Sequence, residues 1–148
     1  MADLLYITRQ AEISASHRLF NPRLDAADNE RIFRNCSWPS GHGHNYTLQV
    51  TVVGEPDPET GMVINLKDLR RVMEERVVDK CDHRHLNEDV DFLRGVVTTT
   101  ENLCVAFWRE LEGPIADLPG SARLWRIRIQ ETRDNSVEYF GPGRRFPG

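Results

Sequence analysis

Polar and apolar side chains alternate along the stretch from His42 to Gly54, and this alternation limits what the chain can fold into. It is the pattern of a β-strand with one buried face, because side chains two residues apart lie on the same side of a sheet. Four apolar residues mark the inward face, and they are Tyr46, Leu48, Val50 and Val52. The same phase, extended backwards, includes His42 and His44. Two inward histidines spaced i, i+2 can bind one metal ion.

A second alternating stretch supplies a third histidine. Apolar residues occupy odd positions between about Leu4 and His17, with Arg9 as one interruption, so a first strand is predicted there with His17 inward at its far end. A lone histidine at a strand end is most simply explained by a bond to backbone or water. Together with His42 and His44, however, His17 completes three neutral imidazoles, the ligand set of a catalytic zinc site with its fourth position open.

Cys36 lies six residues before His42, across a loop that contains proline and glycine. Two roles are open for its thiol. It could be the fourth ligand of a structural zinc site. It could instead act as a base or nucleophile beside an imidazole, for which His83, oriented by Asp82, is available.

A carboxylate falls on the inward face of a later strand. Apolar residues at odd positions predict a strand from Leu124 to Glu131, and Glu131 shares the phase of Ile127 and Ile129. A buried carboxylate is costly unless it has a partner. Glu131 is therefore expected either to reach solvent at the end of the strand or to bind something.

The remaining elements complete an α+β pattern. One helix is predicted from its N-cap Asn65 to about Lys80, and another from Thr99 or Thr100 to the stop at Gly113-Pro114. Minor elements are a short helix at 28–33, short strands at 62–64 and 136–140, and a loose tail at 141–148. Strands at both ends around two helices predict a single antiparallel α+β domain over residues 1–148, one sheet with helices on one face.

The composition limits which kinds of partner this protein is expected to bind. The 148 residues suit one domain, and 19 basic against 23 acidic residues give no basic excess, so neither nucleic acid nor a membrane is an expected partner. No apolar run approaches the roughly 18 residues that span a bilayer, and the start lacks the features of a signal peptide. Three irregularly spaced cysteines do not form a disulfide framework. A cytoplasmic protein is expected.

Several segments, in this order and spacing, resemble the 6-pyruvoyl-tetrahydropterin synthase family, and the resemblance covers about Ile13 to Tyr139. They are Ser14 to Leu19, Cys36 with five residues before His42-Gly43-His44-Asn45-Tyr46, Thr60 to Val63, Asp82-His83, Thr99 to Asn102 and Glu131-Thr132.

The resemblance implies a tunnelling fold, with four antiparallel strands and two helices per subunit, a barrel-shaped trimer and then a homo-hexamer. It also implies Zn²⁺ that holds the side-chain hydroxyls of 7,8-dihydroneopterin triphosphate, and conversion of this substrate to 6-pyruvoyl-tetrahydropterin with elimination of triphosphate. The family's residues fall on His17, His42 and His44 as zinc ligands, Cys36 with Asp82 and His83 as catalytic group, Glu131 as pterin anchor, and Thr99, Thr100 and Glu101 as a further pterin segment.

Three other functions are compared with the one that the resemblance implies. The sister enzyme 6-carboxytetrahydropterin synthase acts on the same substrate and releases acetaldehyde, but its cysteine usually lies closer to the His-Gly-His motif, with three intervening residues. The longer spacing here favours the pyruvoyl product. A relative that makes a folate precursor has glutamate in place of the cysteine, so Cys36 argues against it. From another class, a non-catalytic module would use Cys36 to close a structural zinc site.

Overall fold

The computed structural model describes residues 3–144. Its elements in chain order are β1 (Leu5–His17), α1 (Ala26–Phe33), a 3₁₀ turn (Arg34–Ser37), β2 (His42–Gly54), α2 (Leu66–Met73), a π-helical turn (Glu74–Val78), α3 (Asp79–Cys81), β3 (Arg84–His85), a 3₁₀ turn (Asp91–Leu93), α4 (Thr100–Ala116), β4 (Arg123–Thr132) and β5 (Asn135–Tyr139).

The sheet has the strand order β3-β1-β2-β4-β5. β1 and β2 pair antiparallel over their whole length, so that His17 lies opposite His42 and Ala15 lies opposite His44. β4 pairs antiparallel with β2 and with β5. The predicted α+β class and antiparallel sheet are confirmed, and the register brings the histidine-bearing ends of β1 and β2 together.

Two predictions about strands were wrong. The sheet has five strands rather than four, because Arg84–His85 adds a short parallel strand beside Ala15 and Ser16. The predicted strand at 62–64 is absent from the described chain. Val63 and Ile64 are instead buried in the core, where side-chain packing holds them, and Asn65 caps α2 directly after them.

The first predicted helix begins as expected but contains a π-helical turn. The Asn65 side chain accepts a hydrogen bond from the Lys67 backbone N–H, and the helical run ends at Cys81. A π-helical turn holds one more residue than an α-helical turn, which rotates the following residues about the helix axis. Val77 within this turn and Cys81 after it are both buried.

The predicted stop of the second helix at Gly113-Pro114 was wrong, since α4 continues to Ala116. The last turn is held by the fully buried Ile115 and by a hydrogen bond from the Asp117 N–H to the Gly113 carbonyl. At the other end, the Thr99 side chain accepts from the Asn102 N–H, as the predicted N-cap requires.

The helices α2 and α4 join the inward face of the sheet in one apolar core, with Leu48, Ile127 and Ile129 from the strands. The predicted tail is packed where the structure describes it: Gly141 lies against the Trp108 ring, and the Arg144 guanidinium lies 4.0 Å from the centre of the Trp125 ring. Residues 145–148 of that tail lie outside the described range. Between residues 3 and 144, none of the helices has the length and apolar character that a membrane span needs.

Candidate active site

Three histidines from two strand ends form a cluster. One ring nitrogen each from His17, His42 and His44 lies within 4.8 Å of the others. The Nε2 atoms of His17 and His42 are 3.1 Å apart. The antiparallel register of β1 and β2 produces this arrangement, because it places the last residue of one strand opposite the first residue of the other.

A backbone carbonyl fixes the orientation and tautomer of His17. This side chain is fully buried, and its Nδ1 lies 2.8 Å from the carbonyl oxygen of Thr98. A carbonyl only accepts, so Nδ1 carries the proton and Nε2 keeps a lone pair. That lone pair faces His42, and the Tyr46 hydroxyl lies 3.3 Å from the same nitrogen.

Burial lowers the pKa values of two imidazoles in the cluster, those of His17 and His42. Burial is the main reason why the pKa of His17 is lowered to about 4. The hydrogen bond to the Thr98 carbonyl is the second-largest influence and opposes the shift, whereas the smaller repulsion of His42 and His44 adds to it. Burial and His44 likewise lower the pKa of His42. Neutral imidazole is the form that binds metal ions.

The cluster fits a zinc ion. Two nitrogens bound to one tetrahedral zinc at about 2.0–2.1 Å are about 3.3 Å apart, close to the spacing of the His17 and His42 nitrogens. Among the residues that the structure describes, Cys36 is outside this group of converging ligand atoms. The three histidines could therefore hold a metal ion with a coordination position left open.

Glu131 lies beside the histidine cluster. Its side chain is 24% exposed, and Oε1 is 3.0 Å from Nε2 of His44 and 3.9 Å from Nε2 of His17. The inward carboxylate thus lies against the histidine cluster and is only partly buried. It also borders a cleft of about 480 Å³ whose other lining residues are Thr100, Glu101, Asp134, Asn135, Ser136 and Val137.

Thr99 and Thr100 have different environments at the start of α4. The Thr99 hydroxyl is the helix N-cap, which is a sufficient structural reason for that residue. Thr100 is buried, and its hydroxyl oxygen has no hydrogen-bond partner among the described residues. Of the predicted pterin segment, Thr100 and Glu101 line the cleft beside Glu131, whereas Thr99 is absent from its lining.

Cys36 lies in the 3₁₀ turn before β2 and is partly exposed. The turn is tied to the end of β1: the Cys36 carbonyl accepts from the Leu19 N–H at 2.8 Å, and the Ser37 carbonyl accepts from Nε of Arg18 at 2.6 Å. The backbone of Cys36 is thereby held near the strand end that carries His17.

Asp82 and His83 form a hydrogen-bonded pair at the edge of the sheet. Nδ1 of His83 lies 2.9 Å from one Asp82 oxygen, and the other oxygen accepts from the Ser14 N–H at 2.9 Å. The Ser14 N–H is the largest cause of a lowered pKa at Asp82, and His83 adds to it. His83 itself is exposed, with its backbone in the left-handed region at φ +57°.

The structure does not join the predicted cysteine, histidine and aspartate within one chain. No hydrogen bond links Cys36 to His83 in the described part of the molecule. His83 instead lines a cleft of about 580 Å³ that also includes His44, His85 and residues 14–16.

Three functional contacts were missed from sequence. Tyr46 shares the strand phase of His42 and His44, so its hydroxyl beside His17 could have been found from the same alternation. The Thr98 carbonyl and the side chain of Asn87, which bonds the backbone of Arg18, carry no such signal, because both depend on how distant segments meet.

Comparisons with known proteins find relatives of this chain. The sequence profile described as 6-pyruvoyl tetrahydropterin synthase matches residues 6–142. A human protein named 6-pyruvoyl tetrahydrobiopterin synthase is 44% identical over 135 residues, which are 91% of this chain and 90% of the human one. An Archaeoglobus fulgidus protein named putative 6-carboxy-5,6,7,8-tetrahydropterin synthase is 36% identical over 97 residues, 66% of this chain and 73% of that one.

The fold comparison gives the same result. The solved 6-pyruvoyl tetrahydropterin synthase of Caenorhabditis elegans superimposes with a TM-score of 0.88 at 35% identity, and the match covers 95% of this chain and 97% of that one. This likeness confirms the subunit fold that the sequence predicted. The chain belongs to the 6-pyruvoyl tetrahydropterin synthase family.

Proposed function

We propose that this chain converts 7,8-dihydroneopterin triphosphate to 6-pyruvoyl-tetrahydropterin, with elimination of triphosphate, in a Zn²⁺-dependent reaction. The observation that carries the proposal is the cluster of His17, His42 and His44 with the Glu131 carboxylate 3.0 Å from His44. A metal-binding set thus lies next to a carboxylate-lined cleft, which suits a substrate with a polar ring and a hydroxylated side chain.

The histidines and Cys36 act on the substrate's side chain. Zn²⁺ on the three histidines would supply Lewis-acid polarisation of the side-chain hydroxyls. Cys36, as thiolate, removes a proton from a side-chain carbon while the ring accepts a proton elsewhere. Electrons move only within the substrate, so no nicotinamide is consumed, and triphosphate leaves by elimination.

Asp82 and His83 serve proton transfer in this proposal. The Asp82 carboxylate accepts the Nδ1–H of His83 and thereby fixes the tautomer, which leaves Nε2 as the nitrogen that exchanges protons. The exposure of His83 at the edge of the sheet gives that nitrogen access to groups outside its own loop.

Glu131, with Thr100 and Glu101, holds the pterin ring. A carboxylate can accept two parallel hydrogen bonds from the 2-amino group and the neighbouring ring N–H of the pterin, the same fork geometry that a guanidinium offers. The cleft of about 480 Å³ lies within the range of roughly 300–1,000 Å³ typical of small-molecule sites.

A cytoplasmic homo-hexamer completes the proposal. Within the described chain, the outer edge of β5 has no partner strand, and β3 covers only Ala15 and Ser16 of the outer edge of β1. Open edges of this kind favour pairing with further copies. Cys36, Cys81 and Cys104 are free, as expected in a reducing compartment.

The decisive experiment is incubation of the zinc-loaded protein with 7,8-dihydroneopterin triphosphate, followed by mass analysis of the pterin and assays for triphosphate and acetaldehyde. We expect the mass of 6-pyruvoyl-tetrahydropterin and one triphosphate per turnover, with activity lost on chelation and restored by Zn²⁺. Stoichiometric acetaldehyde would overturn the proposal in favour of 6-carboxytetrahydropterin formation.

A further inference from the structure

We infer that Asn87 is a positioning residue that holds the segments of the proposed site in one hydrogen-bonded unit. These segments are the end of β1 with His17, the loop with Asp82 and His83, and the turn with Cys36. The expected effect of Asn87 on turnover rests on the proposed function. Its expected effect on the position of the Cys36 turn does not.

Asn87 clamps the residue that follows His17. Its Oδ1 accepts from the Arg18 N–H at 2.9 Å, and its Nδ2 donates to the Arg18 carbonyl at 2.9 Å. Both polar groups of one backbone residue are thus bonded by a single side-chain amide. Because β1 ends at His17, the next residue has no strand pairing, and the Asn87 amide supplies its backbone hydrogen bonds instead.

Thr98 links the same amide to the orientation of His17. The Thr98 hydroxyl lies 3.3 Å from Oδ1 of Asn87 and 3.4 Å from the Arg18 carbonyl. The Thr98 carbonyl accepts the Nδ1–H of His17. Asn87 therefore contacts both residues that flank the buried imidazole, one along the chain and one across the fold.

Arg18 extends the unit to Cys36. With its backbone held by Asn87, Arg18 donates from Nε to the Ser37 carbonyl at 2.6 Å. Ser37 directly follows Cys36 in the 3₁₀ turn. A shift of the Arg18 backbone would therefore move the thiol as well as the end of β1.

The loop with Asp82 and His83 is attached to β1 along its length. Ser14 bonds the Asp82 carboxylate and the His83 N–H, β3 pairs with Ala15 and Ser16, and the Asn87 clamp on Arg18 is the last attachment. Removal of the clamp would leave the earlier attachments in place and release the end of the loop that contacts Arg18. A displacement of about 1 Å can lower turnover about a hundredfold without a direct contact to substrate.

The test compares Asn87→Ala with Asn65→Ala. Asn65 also bonds a backbone N–H, but it caps α2 beside Leu5, at the opposite end of β1 from His17. In Asn87→Ala we expect kcat per folded protein to fall about tenfold to a hundredfold, with KM changed less than about threefold. We also expect faster alkylation of Cys36 by iodoacetamide. Asn65→Ala should lower only the melting temperature.

Wild-type kcat and wild-type alkylation rates in folded Asn87→Ala would overturn the inference. If that variant does not fold, Thr98→Val removes the hydroxyl that contacts Asn87 and Arg18 but keeps the backbone carbonyl, and it should show a smaller change in the same direction. Asn87→Ser, which retains one acceptor, should lie between wild type and Asn87→Ala. The alkylation rate tests the effect on the Cys36 turn even if the wild type fails to convert the pterin, so the two failures are distinguishable.

Discussion

At the scale of single residues, Cys36 and His44 are expected to fail in different ways. Cys36→Ala should retain one Zn²⁺ per chain and lose turnover, because the thiol lies outside the group of converging nitrogens. His44→Ala should lose both, because it removes one of three ligands. Zinc content by elemental analysis and product formation measure the two properties separately.

The control for this pair is Ser40→Ala, an exposed position in the same loop, which should keep zinc and turnover. Loss of zinc from Cys36→Ala would show the thiol to be a fourth ligand and favour a structural zinc site. Retained turnover in Cys36→Ala would remove the proposed base.

Asp82 should make stability depend on pH. Its pKa is lowered in the folded state, so the carboxylate stabilises the fold above its ordinary pKa near 3.8, and this contribution is lost as pH falls through the lowered value. Asp82→Asn keeps an acceptor for the Ser14 N–H but has no charge. Urea unfolding should therefore give the wild type a larger free energy of unfolding than Asp82→Asn at pH 7. The difference between the two proteins should become smaller toward pH 3.

A difference between wild type and Asp82→Asn that does not change with pH would mean that geometry, rather than charge, is what Asp82 contributes. The other carboxyl groups are common to both proteins and cancel in the comparison.

The sequence predicted the histidines and Glu131 because strand phase is a local property. His17, His42, His44 and Glu131 all follow from the alternation of side chains along their own strands. Thr98 and Asn87 could not be found this way, since their partners His17 and Arg18 are distant in sequence. Such contacts appear only when segments meet in the fold.

At the scale of elements, the inward face of β2 should carry most of the stability of the sheet. Leu48 is fully buried between β1 and β4, and Leu48→Ala should lower the free energy of unfolding by about 2–5 kcal/mol. Gln49→Ala, on the outward face of the same strand, removes only hydrogen bonds to Gln10 and Arg126 and should lower it by about 1 kcal/mol or less. Urea denaturation of both variants measures the contrast.

Equal losses in Leu48→Ala and Gln49→Ala would contradict the assignment of faces. That assignment also places His42 and His44, so the stability measurement checks the strand phase on which the histidine cluster depends.

Long elements with a clear period were predictable, and departures from regular geometry were not. β1, β2 and β4 follow from alternation, and the start of α2 follows from its cap. The π-helical turn at 74–78, the continuation of α4 past Pro114 and the two-residue β3 each depend on burial or pairing with another part of the fold. The local sequence does not indicate which distant residues these segments will pack against or pair with.

At the scale of the whole molecule, the open edges of the sheet predict assembly. Native mass spectrometry should find six copies of the chain, as the resemblance to the family implies, because the edges of β1 and β5 remain available for strand pairing. Dilution should shift the equilibrium toward smaller species. A monomer at all concentrations would contradict the proposed barrel and leave the assignment of the three histidines unaffected.

The acceptor that orients His17 is a backbone carbonyl, and every residue type carries one at position 98. Single substitutions there change the hydroxyl and the packing but leave the oxygen in place. A deep mutational scan would consequently rank position 98 by its side chain alone and miss its contribution to the orientation of His17. Single substitutions do not remove the hydrogen bond between the Thr98 carbonyl and His17, which sets the imidazole tautomer. Isotope-edited NMR of the imidazole nitrogens would detect it.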